Sequence, residues 1–87
     1  MEERVKPPAG ISLSPLATQV FAVLAEYTSF PWPVLLAQSR RVGVDPATLD
    51  RNGLRQLVPF LSAGVERFTS PEKGRAVQDR LHRLLES

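Results

Sequence analysis

Leu54-Arg55-Gln56-Leu57-Val58-Pro59-Phe60-Leu61-Ser62-Ala63-Gly64-Val65-Glu66-Arg67-Phe68 is the stretch that decides the fold. Leu54, Leu57, Val58, Leu61, Val65 and Phe68 recur three and four residues apart, the period of one helix face, while Arg55, Gln56, Ser62, Glu66 and Arg67 are left for solvent. One apolar stripe of this kind needs other elements to cover it. Two residues disturb its regularity: Gly53 weakens the start, and Pro59 lacks an amide and crowds the preceding turn. A kink near Pro59, or a split into two shorter helices, is expected there.

Upstream, Ser14-Pro15 gives a capping side chain followed by a proline at the first helical position, where the missing amide costs nothing. Leu16, Val20, Val23, Leu24 and Tyr27 follow at helical spacing, with Ala17 and Phe21 widening the stripe and Leu13 placed to fold back as a staple. From Val20 to Ala25 this helix is apolar nearly all round, which suits a central position or a subunit interface. Ser29-Phe30-Pro31-Trp32-Pro33 then reads as a stiff aromatic elbow, because each proline constrains the residue before it. A second helix is expected from Val34 to about Val42, with Leu35, Leu36, Ser39 and Val42 inward and Gly43 as its terminator.

Downstream, Ser70-Pro71 repeats the cap-and-proline start, with Glu72 in the first turn where the helix field favours a carboxylate. Val77, Leu81, Leu84 and Leu85 form the last apolar face, and Asp79 and Arg83 stand four apart on the polar one. No stretch alternates at period two. The expected fold is all-α: a small orthogonal or up-down bundle of four helices in one domain over residues 13–87, preceded by a flexible arm over residues 1–12 that carries Pro7, Pro8 and Gly10.

Eighty-seven residues hold one core and bury about 60% of the surface of the unfolded chain, so stability is expected to be marginal without a partner. The chain is 43% apolar and 23% charged, a globular composition. It has no cysteine, which removes disulfides and thiolate metal sites and points to a reducing, cytoplasmic compartment. Glu2 and Glu3 stand where a signal peptide needs a basic start and an apolar run, so no targeting segment is expected. The longest apolar run, Val20 to Ala25, is far short of the ~20 residues that span a bilayer.

Chemistry has little to work with. The one histidine, His82, has no second histidine or thiolate with which to share a metal ion, and Asp45 and Asp50 lie near helix starts, where Asp ordinarily satisfies free amides. No glycine-rich phosphate loop or nucleophile elbow is present. We expect no catalytic residue, no cofactor and no metal.

Binding is the remaining class. Trp, Phe and Arg anchor interfaces most often, and one small core has difficulty enclosing every large apolar group in this chain. The expected protein-binding surface comprises Val20, Phe21, Leu24, Phe30, Trp32 and Phe60, facing a second copy or a larger protein. The alternative is nucleic acid. Gly43-Val44-Asp45-Pro46-Ala47-Thr48-Leu49-Asp50-Arg51 resembles the helix-turn-helix class: a turn glycine, an apolar residue, a capped second helix and an inward leucine, with small Ser39 four positions before the glycine. The resemblance covers about a quarter of the chain. It implies that Thr48, Arg51, Asn52 and Arg55 face a duplex; separately, Arg40 and Arg41 can converge with Arg51 and Arg55 across the turn into a local basic patch. Asp45 and Asp50 within that segment repel phosphate, and a formal net charge of +2 gives the domain little general attraction to it, so protein binding ranks first.

Overall fold

The computed structural model describes residues 12–86; the proposed arm lies, except for Ser12, outside the described residues. Four helices follow in order: α1 (Pro15–Tyr27), α2 (Pro31–Val42), α3 (Arg51–Phe68) and α4 (Pro71–Glu86), with no strand among the described residues. The fold is the all-α four-helix bundle that the spacing predicts.

The caps form as read, and they do more than start helices. Ser14 Oγ accepts from the Ala17 amide at 3.0 Å and donates to the Leu49 carbonyl at 2.8 Å, while its own amide donates to the Pro46 carbonyl at 3.1 Å. The first turn of α1 is thereby tied to the connection between α2 and α3. Ser70 Oγ accepts from the Lys73 amide at 3.3 Å at the start of α4. At the end of α2, Gly43 takes the left-handed conformation (φ +84°) that glycine reaches without strain, and its amide donates to the Ser39 carbonyl.

One expectation is corrected. α2 begins at Pro31, two residues before Pro33, because both prolines fall in its first turn, where no amide has a helical partner. The elbow is the beginning of a helix. Residues 46–48 make a turn and α3 starts at Arg51, with Asp50 Oδ1 accepting from the Gly53 amide at 2.8 Å; Asp45 Oδ1 caps the turn through the Ala47 amide. Of the two outcomes expected at Pro59, the split does not occur: α3 is continuous through it. Pro59 and Arg55, whose carbonyl loses its helical donor, are both exposed, so water can solvate the gap.

α3 is the centre of the packing. Its Leu54, Leu57, Val58, Leu61 and Val65 are buried against Val20, Phe21, Val23 and Leu24 of α1, Val34 and Leu35 of α2, and Val77 and Leu81 of α4 in one continuous core. Leu49, from the connection, closes the same core. Phe68, expected on this stripe, is 66% exposed: it is the last residue of α3, and the chain turns away at Thr69 before anything can cover it. Ser39 is buried with no hydrogen-bond partner for its hydroxyl among the described residues.

α3 and α4 approach closely at Gly74. A methyl group there would stand 2.8 Å from the Ser62 carbonyl oxygen and 2.9 Å from Glu66 Cβ, and Ser62 Oγ donates to the Gly74 carbonyl across the same contact at 2.9 Å. α4 is also held to α1 by an ion pair in which both Arg80 Nη atoms reach Glu26, at 2.8 and 3.1 Å. That hydrogen bond holds the Glu26 carboxyl below its ordinary value and keeps Arg80 charged. Its contribution is therefore present above the ordinary carboxylate range and lost as pH falls through the lowered value; at this exposed position it is small. Asp79 and Arg83 do not pair.

Gly74→Ala opposes two effects. Alanine favours the helix by about 1 kcal/mol, and overpacking against backbone costs about 1–3 kcal/mol. Since the nearest atom is a carbonyl oxygen that cannot swing away, we expect a net loss of stability by urea denaturation; a gain would mean that the helices separate at no cost.

Candidate apolar groove between α2 and α3

The C-terminal half of α3 leans on α2 through small residues, and a groove of about 620 Å³ opens between them. On the α2 side it is lined by Phe30, Val34, Ala37, Gln38 and Arg41, a helical series along one face. On the α3 side stand Phe60, Ala63, Gly64, Arg67 and Phe68, again a single face. Gly64 lies directly under α2: a β-carbon there would sit 3.4 Å from Val34 Cγ1 and from Gln38 Nε2. Short side chains make the floor and long ones make the rim.

The rim is aromatic and cationic. Phe30 is 64% exposed and Phe60 38%, and with Phe68 they are the large hydrophobic residues left exposed among those described. Phe30 is held in place from behind, since its amide donates to Thr28 Oγ1 at 3.1 Å and the following Pro31 is buried. Arg41 and Arg67 are exposed, one on each wall, and neither takes part in an ion pair among the described residues. No carboxylate lines the groove. Glu66, the nearest acid in sequence, packs its Cβ toward Gly74 of α4 instead.

The expected protein-binding residues divide into two groups. Phe30 and Phe60, thirty residues apart in sequence, meet at this groove. Val20, Phe21 and Leu24 do not: they are 0–4% exposed and fill the core, so in this fold they offer nothing to a partner. Trp32 is half-buried and packed against the core rather than standing out as a knob. Phe68, Arg41 and Arg67 complete the groove; the stripe pattern alone assigns Phe68 to the core and Arg67 to plain solvent.

The helix-turn-helix residues are all on the surface. Arg40, Arg41, Thr48, Arg51, Asn52 and Arg55 are exposed, Leu49 is inward and Gly43 makes the turn. Thr48, however, sits in a turn, and Arg51 and Asn52 are the first residues of α3, beside the exposed carboxylates of Asp45 and Asp50. Arg41 belongs to the groove.

His82 is exposed, and no group of three or more His, Cys, Asp or Glu side chains among the described residues is placed to hold a metal ion. No helix of the described residues is long and apolar enough to cross a membrane. Compared with known protein families, curated proteins and solved structures, the chain matches none.

The division between core and groove is measurable as stability. Phe21→Ala should cost about 3–5 kcal/mol, the usual range for a buried phenylalanine. Phe60→Ala and Phe68→Ala should each cost less than about 1 kcal/mol, as surface changes do. Equal losses for Phe21 and Phe60 in urea denaturation would place Phe60 in the core and remove the groove.

Proposed function

We propose that this small all-helical chain is a non-catalytic interaction module that docks another protein through the α2–α3 groove. The observation that carries the reading is the gathering of Phe30, Phe60 and Phe68, the large exposed apolar side chains, around one cleft with arginines on both walls. A bundle this small has little apolar material to spare, and leaving Phe30 and Phe68 largely in water, with Phe60 partly so, forgoes up to roughly 1.5–3 kcal/mol for each side chain that burial would stabilise. Grouped exposure of this kind, rimmed by polar residues, marks binding surfaces, whereas single exposed apolar residues are ordinary. Phe and Arg are also the side chains that supply binding energy at the centre of an interface.

A nucleic-acid role has one observation in its favour, the exposure of Arg40, Arg51, Asn52 and Arg55 around the α2–α3 connection. It ranks second because those residues share their surface with Asp45 and Asp50, while the groove has no opposing charge. Salt-dependent duplex binding abolished by Arg51→Glu would reverse the order.

The test places a photo-crosslinking benzoylphenylalanine at position 63, exposed on the groove wall, or at position 22, exposed on α1, in the full chain produced in its own cells. We expect a discrete protein adduct from position 63 that Phe60→Ala removes, and none from position 22. Equal labelling from the two positions, or none from position 63, would contradict the reading.

A further inference from the structure

We propose that the occupant of the groove is an acidic amphipathic helix of about three turns from another protein. The inference rests on the docking role proposed above and adds the chemistry of the partner. Length comes first. From Phe30 to Arg41 the α2 wall spans eleven residue steps, about 16 Å at 1.5 Å per residue, which is three turns of helix. Shape agrees with length: two helices meeting at Val34 and Gly64, with short Ala37 and Ala63 beside them, leave a furrow with aromatic edges, and a helix lays its apolar i, i+3/i+4, i+7 face into such a furrow.

Charge selects among helices. The groove presents two guanidinium groups, no carboxylate and no ion pair, so a partner with Glu or Asp beside its apolar stripe gains pairing on both flanks. The field at a helix C-terminus favours arginine in the last turn wherever it points. Arg40 and Arg41 share that turn of α2, yet only Arg41 borders the groove, so the helix field alone does not account for the cationic rim. A second copy of this chain fits less well. An isologous dimer sets the same patch against itself, which here would bring Arg41 and Arg67 of one protomer to those of its partner around an apolar seam with no counter-charge.

The experiment selects binders to the full chain from a displayed library of helical peptides, four turns long and randomised at every position, and measures labelled winners by fluorescence anisotropy. We expect enriched peptides to carry apolar residues at helical spacing and net negative charge. Phe60→Ala should weaken them at least tenfold, and the Arg41→Glu, Arg67→Glu double variant should weaken them at least tenfold while improving binding of their Lys-for-Glu counterparts. Circular dichroism checks that both variants stay folded. Winners that need Phe60 but are neutral or basic, or that ignore the arginine reversal, would overturn the acidic-helix inference and leave the docking role standing. Failure to obtain any Phe60-dependent helix would overturn this inference alone if the position 63 adduct is present, and both proposals if it is absent. A concentration-dependent dimer that Phe60→Ala dissolves, or loss with Phe60→Ala of binding to anionic lipid vesicles without any peptide binder, would replace the acidic helix with those occupants.

Discussion

The close contact of α4 on α3 at Gly74 is the constraint on which the rest of the structure depends. α3 has one strong apolar stripe and three neighbours to share it with. Because Gly74 has no side chain, α4 comes near enough for Ser62 to bond its backbone, and that side of α3 is closed. α1 then lies across the buried face, tied to α4 by Glu26–Arg80 and to the α2–α3 connection by Ser14. α2 takes what remains. It meets α3 through Val34 and Gly64, and the furrow beside them stays open.

Position in the chain therefore separates apolar residues of the same type. Phe21 and Phe68 are both phenylalanines at stripe positions of amphipathic helices. Phe21 lies mid-helix between neighbours and is 4% exposed; Phe68 ends its helix and has nothing beyond it. Apolar burial is non-directional and follows area, so only the path of the chain after each residue decides which of the two is covered.

The same distinction explains how much was legible in the sequence. Local signals were reliable: Ser14-Pro15, Gly43 and Ser70-Pro71 specify helix ends through their own atoms, and each end forms at or beside the expected residue. The stripes of α1, α3 and α4 were equally plain. Pro31 and Pro33 misled because a proline pair signals both a break and a helix start, and which applies depends on whether the following residues can pack, as Val34 and Leu35 do. The surface assignment of Val20, Phe21 and Leu24 came from judging the core too small to hold them; α1 in fact touches all three other helices, so an apolar circumference is what its position requires. The groove was half visible, in Phe30 and Phe60, but no period within one helix records that two distant faces will meet.

The central claim is this partition of apolar side chains between a closed core and an open cleft. Proton relaxation of the side chains in the presence of a soluble paramagnetic agent tests it residue by residue. Strong enhancement is expected at the rings of Phe30, Phe60 and Phe68 and almost none at Val20, Phe21 and Leu24. Protection of Phe60 and Phe68 equal to that of Phe21, or enhancement of Phe21 equal to theirs, would contradict it.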